Sequence, residues 1–294
     1  MEQFLERMVL GMERGSIYAL LALAIVLIFR STGLLNFAQG EMAMFSTFVA
    51  WTFQDNGAGV WVSILAAMLL SFLGGAVIER VIIRPVEGGS PLNIVIVTVG
   101  MFLALNALAQ WIWGTDAKVF ADAFPDDAWD VAGVSITADF LGRLATLAVV
   151  AFVLYLLFQK TKLGLAMRAV ASNTESSGLV GIRVGRMLMI GWGLAAALGA
   201  LAGCLTAARI GQFDTNFMIQ VLVFGFAAAT LGGLDSPLGA VVGGLIVGVV
   251  QELVGQYIGW VGEDLRDGAA FVIILVILLV KPSGLFGKQQ VARV

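Results

Sequence analysis

The chain of 294 residues contains no histidine and a single cysteine, Cys204, which lies in an apolar run. Without histidine, the chain cannot form a serine–histidine or cysteine–histidine catalytic pair, a histidine metal site or a histidine proton relay. A single cysteine excludes an intrachain disulfide and a cysteine-rich metal site. These absences disfavour an enzyme.

Charged residues are also scarce, at 13% of the chain, whereas hydrophobic residues make up 60%. That balance is typical of an integral membrane protein. The 17 lysines and arginines lie scattered at the ends of apolar segments, so we expect no basic surface for nucleic acid. Residues 1–8 are acidic and amphipathic rather than a basic leader, and no cleaved signal peptide is expected.

Apolar windows of about 20 residues predict helices long enough to cross a membrane. They fall at 9–29, 34–53, 60–79, 92–113, 141–158, 187–208, 218–234, 236–255 and 268–281. Two regions are ambiguous, because 34–53 is polar in its first half and only a glycine-rich turn separates 218–234 from 236–255. The predicted fold is an all-α polytopic membrane protein, a single transmembrane domain over 1–294, with eight or nine transmembrane helices or, in the ambiguous regions, half-helices.

The distribution of lysine and arginine in short loops predicts the orientation. Residues 160–186 contain five basic residues and one acid, and the tail after 281 is also basic; both are expected in the cytoplasm. Residues 114–140 contain six aspartates and one lysine, and 263–267 is acidic too; both are expected outside. Nine crossings then place the N-terminus outside, and a re-entrant segment would change that parity.

Segment 160–186 also carries apolar residues that a merely solvated loop would not need. Leu163, Met167 and Val170 follow one another at i, i+4 and i+7 beside basic residues. This pattern predicts a short amphipathic helix that lies in a groove of a soluble partner. The alternative is an ordinary basic loop on the cytoplasmic side.

Each half of the chain, before and after the acidic loop, contains one polar, glycine-rich interruption of its apolar segments. Interruptions at corresponding places in two halves indicate a transport pathway built from half-helices. An alternative is an interfacial Glu41 in the first and a plain Ser-Pro turn in the second. The residues predicted to line the pathway are Asn36, Gln39, Gly40 and Glu41 in the first interruption and Gly232, Gly233, Asp235 and Ser236 in the second.

Other polar residues fall inside or near the predicted spans. Glu13 and Arg14 lie near the start of the first span, and we expect both to extend outward to water. Asn106 and Gln110 share a helix face at four-residue spacing, and Glu252 lies near the end of its span. We expect interhelix hydrogen bonds from these three rather than substrate contacts.

Several short segments, in a fixed order, resemble one known family over nearly the whole chain. They lie at 15–20, 36–41, 79–80, 84–85, 161–164, 167–169, 181–182, 231–240 and 281–287. Their order and spacing are similar to those of the permease subunits of branched-chain amino acid ABC importers, of the LivH type. Two positions depart from the family pattern: Gln39 stands where histidine is usual, and Arg14 stands where a small apolar residue or serine is usual.

The resemblance implies that residues 161–181 form a cytoplasmic coupling helix, with 175–181 matching the part that fits an ATPase cleft. The residues given this coupling role are Thr161, Leu163, Gly164, Met167, Arg168, Ala169, Glu175, Gly178, Gly181 and Ile182. It also implies a second, LivM-like permease subunit, two ATPase subunits, an extracytoplasmic substrate-binding protein and a place in the bacterial inner membrane. The chain has no Walker A sequence, so we expect it to bind no cofactor itself and ATP and Mg²⁺ to be used by the partner subunits.

The predicted function is a permease subunit that imports leucine, isoleucine and valine with ATP hydrolysed elsewhere. The same family pattern also serves urea, short amides and other amino acids, and selectivity is expected mostly in the binding protein. A different class is an ion-coupled transporter or channel, in which Glu41 would carry the coupling ion. An intramembrane enzyme is the least favoured alternative.

Overall fold

The computed structural model describes residues 2–33, 35–131, 133–257, 266–281 and 283–287. Within these ranges the chain forms eleven α-helices and four short strands. The helices are α1 (Glu2–Thr32), α2 (Gln39–Asp55), α3 (Val60–Ile78), α4 (Pro91–Trp113), α5 (Ala138–Lys160), α6 (Lys162–Ser172), α7 (Thr174–Leu179), α8 (Val184–Ile210), α9 (Phe217–Gly232), α10 (Pro237–Tyr257) and α11 (Arg266–Val280). A π-helical turn (Glu79–Ile83) and a 3-10 turn (Arg84–Val86) continue α3.

The helical fold class is confirmed, and each of the nine predicted windows coincides with a helix. Six helices of the described chain are long and apolar enough to cross a membrane: Glu2–Thr32, Val60–Val86, Leu92–Trp113, Ala138–Lys160, Val184–Ile210 and Pro237–Tyr257. Helices α2, α9 and α11 have 17, 16 and 15 residues, which is short for a full crossing. Eight or nine crossings therefore stay a prediction.

By its contacts the chain divides into two compact units. Unit 1 comprises Met1–Val26, Phe124–Ala151 and Val223–Val294, and unit 2 comprises Leu27–Ala123 and Phe152–Leu222. The two sequence halves do not coincide with these units, because each unit takes segments from both halves. A single permease domain over 1–294 stays a prediction.

Unit 2 is built around α8, which packs against α2 and α3 through small residues. Ala195, Gly199, Gly203 and Ala207, at four-residue spacing, are all buried. The backbones approach so closely that a Cβ atom added to Gly75 of α3 would lie 2.6 Å from the carbonyl oxygen of Trp192. Lipid supplies no hydrophobic drive between helices, so close backbone approach is what stabilises such packing.

In unit 1, α1 packs against α10 in the same way. A Cβ atom added to Gly15 would lie 2.8 Å from the carbonyl oxygen of Gly244. The segment after α11 then returns to the end of α9, where the N–H groups of Leu285 and Phe286 donate to the carbonyls of Leu231 and Gly232 at 2.7 and 3.0 Å. These contacts join the last part of the described chain to the core of unit 1.

The described chain also contains four short strands, which the all-α prediction did not include. In unit 2, β1 (Lys118–Val119) pairs antiparallel with β4 (Gln212–Phe213). In unit 1, β2 (Ala128–Val131) pairs antiparallel with β3 (Val134–Thr137). All four strands lie in the segments that connect the spanning helices. The backbone groups of these segments have no helix to pair in, and strand pairing satisfies some of them. Residues 258–265 and 288–294, which carry part of the orientation argument, lie outside the described residues.

Candidate functional site

The first predicted interruption is the start of α2, and it is buried. Asn36 accepts a hydrogen bond from the N–H of Ala38 at 3.0 Å, and its Nδ2 donates to Oε1 of Gln39 at 3.2 Å. Nε2 of Gln39 in turn donates to the carbonyl of Ala195 on α8 at 3.0 Å. Asn36 and Gln39 are 1% and 0% exposed. The polar start of α2 is therefore held inside unit 2.

Glu41, in the first turn of α2, is only 1% exposed, so its side chain faces the protein interior, and the alternative of an interfacial depth for Glu41 stays a prediction. Its carboxylate accepts a hydrogen bond from Nδ2 of Asn106 on α4 at 3.2 Å. Asn106 also donates to the carbonyl of Thr215 at 2.9 Å and accepts from Gln110 at 2.6 Å. The predicted interhelix hydrogen bonding of Asn106 is confirmed.

No ion pair to Glu41 occurs in the part of the chain that the structure describes. Burial of a carboxylate that accepts only from a neutral amide, without a cation, costs free energy. Such a group inside a membrane protein indicates a functional site. It is chemically suited to attract an ammonium group or to exchange a proton. We call Asn36, Gln39, Glu41 and Asn106 the polar cluster.

An apolar cavity of about 240 Å³ lies between α2, α3, α4 and α8 of unit 2. Its lining is mostly aliphatic and aromatic, and Oγ of Ser71 donates to Oγ of Ser46 at 2.6 Å, so these two hydroxyls are bonded to each other. Met42 lines the cavity, and its sulfur lies 3.4 Å from Nδ2 of Asn36. Apolar space therefore adjoins the polar cluster.

The second predicted interruption, in unit 1, is a tight turn between α9 and α10. Gly232 ends α9, and Gly233 has a φ of +103°, which only glycine adopts without strain. Ser236 accepts a hydrogen bond from the N–H of Gly239 at 3.0 Å, and Pro237 occupies the first position of α10. Asp235 is exposed. The geometry is that of ordinary helix capping, and a pathway role for these residues stays a prediction.

The segment predicted as one amphipathic helix consists of two helices, α6 and α7. Thr161 caps α6 by accepting from the N–H of Gly164 at 3.0 Å, and Asn173 caps α7 by accepting from the N–H of Ser176 at 2.8 Å. Gly181, with a φ of +86°, follows the end of α7. The Asn173 side chain thus starts a new helix where the apolar spacing alone suggested continuity.

One face of α6 packs inward within unit 2. A Cβ atom on Gly164 would lie 2.5 Å from Cα of Phe158, and Met167 and Val170 are only 5% and 2% exposed. Arg168 donates to Oε1 of Gln159 on α5 at 2.9 Å. The expectation that Met167 and Val170 face a soluble partner is therefore wrong, because their side chains stabilise α6 on its own chain.

The outward apolar surface lies instead at the end of α7. Leu179 and Val180 are 85% and 77% exposed, more than Leu165 on α6 at 61%. A side chain at Gly181 would meet nothing within 4 Å. Of the other predicted coupling residues, Glu175 and Gly178 are exposed, whereas Leu163, Ala169 and Ile182 are half-buried. We call Leu179 and Val180 the α7 tip.

A clamp holds the start of α8 to the end of α3. Arg84 makes two hydrogen bonds to the buried carboxylate of Glu79, at 3.1 and 2.7 Å, and also donates to the carbonyl of Gly185 at 2.7 Å. Bidentate arginine–carboxylate pairs are geometrically specific. The segment that follows the α7 tip is thus anchored to a long apolar helix.

Unit 1 contains an ion-pair network that the sequence did not predict. Arg143 of α5, 2% exposed, lies 2.8 Å from the carboxylate of Glu13 and 2.7 Å from that of Asp139. Arg14 lies 3.0 Å from the buried carboxylate of Glu252 on α10. The expectation that Glu13 and Arg14 extend outward is wrong. Adjacent residues point about 100° apart on a helix, so Glu13 reaches α5 while Arg14 reaches α10.

The described residues contain no group of three or more cysteine, aspartate or glutamate side chains placed to hold a metal ion. The polar atoms of the polar cluster and of the α7 tip's surroundings are instead amides, hydroxyls, carboxylates and backbone groups.

Comparison with known proteins gives a consistent result over the length of the chain. A family model described as the permease component of a branched-chain amino acid transport system matches residues 7–280. The high-affinity branched-chain amino acid transport system permease protein LivH of Salmonella typhimurium is 28% identical, covering 99% of this chain and 98% of its own. BraD of Pseudomonas aeruginosa, a permease protein of the same description, is 27% identical with the same coverage. The fructose import permease FruF of Bifidobacterium longum is 25% identical and covers 91% of this chain and 74% of its own.

Proposed function

This chain belongs to the family of permease components of branched-chain amino acid transport systems, and we propose that it carries branched-chain amino acids across the membrane as one subunit of an ATP-driven importer. The observation that carries the proposal is the α6–α7 segment, which is packed firmly on α5 and α8 yet exposes an apolar tip. Exposed apolar residues on the spanning helices can face lipid, but the α7 tip lies within the basic segment 160–186, which we place in the cytoplasm, where a soluble partner would cover it.

The proposed assembly contains a second permease subunit, two ATPase subunits at the cytoplasmic face and a substrate-binding protein outside. We place the α7 tip and the C-terminus in the cytoplasm of a bacterial inner membrane, since residues 160–186 carry five basic residues and one acid. The side chains expected to enter an ATPase groove are Leu179 and Val180. Burial of two such side chains contributes about 1.5–3 kcal/mol each.

The inward face of α6 suggests how a movement is transmitted. Gly164, Met167 and Val170 join α6 to the helices of unit 2, and Arg84 holds the start of α8 to the end of α3. A displacement of the α7 tip would therefore move packed helices as rigid bodies rather than bend a loop. Closing of the ATPase subunits would then change which side of the pathway is open.

The polar cluster is the part of the described chain that we propose to line the pathway. Glu41 offers a carboxylate to an amino acid's ammonium group. Asn36 holds the Gln39 amide in place, and the N–H of Gln39 that does not donate to Ala195 offers a donor to the amino acid's carboxylate. Gly40, buried beside them, leaves room for Leu222 of α9, because a Cβ atom added to Gly40 would lie 2.9 Å from Cβ of Leu222. For Gly232, Gly233, Asp235 and Ser236 we propose a structural role as the turn between two pathway helices.

Leucine, isoleucine and valine are the proposed substrates. Urea, short amides and other amino acids are the alternatives, because recognition is expected mainly in the separate binding protein. The apolar cavity of about 240 Å³ beside Met42 favours a substrate with an aliphatic side chain. Apart from Ser46 and Ser71, whose hydroxyls are bonded to each other, the described side chains that line it are apolar.

Transport in sealed vesicles tests the proposal. Vesicles that contain this chain and its co-expressed partner subunits should accumulate leucine only when ATP is enclosed with the ATPase subunits and binding protein is present on the opposite face. Uptake by this chain alone, driven by an ion gradient without ATPase subunits, would contradict the ATP-driven mechanism and favour the ion-coupled alternative.

A further inference from the structure

The end of α3 leaves the α-helical geometry through the π-helical turn Glu79–Ile83. There the backbone N–H of Arg84 donates to the carbonyl of Glu79, five residues back. Residues five apart on an α-helix point about 140° away from each other, so an α-helical end would separate these two side chains. The π turn brings them together, and Arg84 makes two hydrogen bonds to the Glu79 carboxylate, at 3.1 and 2.7 Å.

The same guanidinium lies against the start of α8. Arg84 donates to the carbonyl of Gly185 at 2.7 Å, and a Cβ atom added to Gly185 would lie 2.9 Å from the guanidinium carbon. A side chain at this second residue of α8 would therefore displace the guanidinium. Turns of the π type are rare and occur often at functional sites, so the arrangement indicates a role in function.

A short connection leads from Gly185 back to the α7 tip. It consists of residues 181–184 and is held by backbone hydrogen bonds: Ile182 donates to the carbonyl of Ser177 at 3.0 Å, and Val184 donates to that of Ile182 at 2.9 Å. A connection that is so short and so bonded moves with the start of α8 rather than independently of it.

On its other side, the clamp reaches the apolar cavity of unit 2. Glu79 is 1% exposed and directly follows Ile78, which lines the cavity together with Ser71 and Gly75 of α3. Separation of a buried carboxylate from its guanidinium is strongly unfavourable, so Glu79 and Arg84 move together. A displacement of Arg84 therefore shifts the wall of the cavity at Ile78.

We propose that Arg84 is a positioning residue of the transport cycle, which transmits a displacement of the α7 tip, through the start of α8, to the cavity wall at Ile78. The inference rests on the proposed ATP-driven function and names the side chain on which its coupling depends. Arginine suits this role because its planar guanidinium binds a carboxylate and a carbonyl at the same time in a fixed geometry, whereas lysine offers a point charge.

The amount of leucine imported per ATP hydrolysed, measured with the complete complex in sealed vesicles, tests this role. Arg84→Lys keeps the charge but loses the two-point contact with Glu79, and the ratio should fall about tenfold, within the range by which residues between two sites change their coupling. A residue with only a structural role would lower import and hydrolysis together and leave the ratio unchanged.

A second variant, Gly185→Ala, keeps Arg84 itself. Alanine favours the helix, and the group that its Cβ atom meets is the end of a flexible side chain, so the chain should fold. The guanidinium must then shift away from the start of α8, and the ratio should fall at least about threefold.

Two matched controls make the same changes nearby. Arg80→Lys alters an exposed arginine of the same π turn, and Gly88→Ala adds a side chain that meets nothing within 4 Å. Both should leave the ratio of leucine to ATP within about twofold of that of the unmodified complex.

An unchanged ratio in Arg84→Lys and Gly185→Ala, in a complex whose unmodified form imports leucine with ATP, would overturn the inference and leave the proposed function intact. An equal fall of the ratio in the control variants would also overturn it. Absence of ATP-driven import by the unmodified complex would contradict the proposed function, and the role of Arg84 with it.

Discussion

The carboxylate of Glu13 and the guanidinium of Arg143 lie 2.8 Å apart although 130 positions separate them in the chain. Both side chains are buried, and Asp139 provides Arg143 with a second carboxylate at 2.7 Å. The pair joins α1 to α5 inside unit 1. Each charge is therefore a close, buried partner of the other.

Removal of Arg143 alone should therefore be costly. We expect Arg143→Gln to lower the free energy of unfolding by about 3–5 kcal/mol, because the buried carboxylate of Glu13 loses the guanidinium that lies 2.8 Å from it. The double variant Glu13→Gln, Arg143→Gln should recover a large part of that loss. Thermal unfolding in detergent measures both, and Lys160→Gln, an exposed change on the same helix, is the control. Equal losses in the single and double variants would show that the two charges are not coupled.

Two adjacent glycines of α3 should behave in opposite ways. A Cβ atom at Gly75 would lie 2.6 Å from the carbonyl oxygen of Trp192, whereas one at Gly74 meets nothing within 4 Å. We expect Gly75→Ala to destabilise the chain by about 1–3 kcal/mol through overpacking. Gly74→Ala should be neutral or stabilise it by up to about 1 kcal/mol, because alanine favours the helix. Melting temperatures of the two variants decide the matter, and similar values would contradict the α3–α8 packing.

Loss of the Glu41 charge should impair transport without impairing the fold. Glutamine at this position still accepts the hydrogen bond from Asn106, so Glu41→Gln should insert and purify normally. Leucine uptake in the reconstituted complex should fall about tenfold, equivalent to about 1.4 kcal/mol, if the carboxylate attracts the ammonium group. Asn56→Ala, an exposed change just after α2, serves as the control. Unchanged uptake by Glu41→Gln would remove Glu41 from the pathway.

The α7 tip should carry more of the ATPase contact than α6 does. The double variant Leu179→Ser, Val180→Ser should weaken co-purification of the ATPase subunits at least about 100-fold, since the apolar burial of two side chains is lost. Leu165→Ser, also an exposed leucine, should leave co-purification within about threefold of the unmodified chain. A larger loss of ATPase co-purification in Leu165→Ser than in the Leu179→Ser, Val180→Ser variant would show that α6, not the α7 tip, carries the ATPase contact.

Sequence reasoning predicted the elements better than the directions in which they face. Hydropathy and composition placed each of the nine windows on a helix, because lipid requires every backbone group of a spanning segment to be satisfied internally. The polar start at Asn36 and the serine cap at Ser236 were visible as breaks in that pattern. Periodicity on α6 correctly indicated one apolar face. Periodicity could not distinguish an apolar face that packs on α8 from one that binds a separate protein. Met167 and Val170 pack within this chain.

Long-range pairs were beyond the sequence for a different reason. Nothing local to Glu13 or Arg143 records that α1 and α5 lie side by side, and an acid near the end of a span ordinarily extends to water. A lone arginine inside the predicted span 141–158 was the one available signal, because such a residue needs a buried partner. The α7 tip was similarly visible only as Leu179 and Val180 beside Gly181, without a periodic pattern to give their direction.

A cross-link at Val180 tests most directly the claim that an ATPase cycle acts on this chain through the α7 tip. The native Cys204 is fully buried, so a single cysteine introduced by Val180→Cys is the reactive thiol of the described chain, with Leu165→Cys as its matched control. In the assembled complex, a short bifunctional reagent should join Val180→Cys to an ATPase subunit, with a yield that changes when ATP is bound and hydrolysed, and should leave Leu165→Cys unjoined. Efficient labelling of Val180→Cys without any cross-link to an ATPase subunit, in every nucleotide state, would contradict the account.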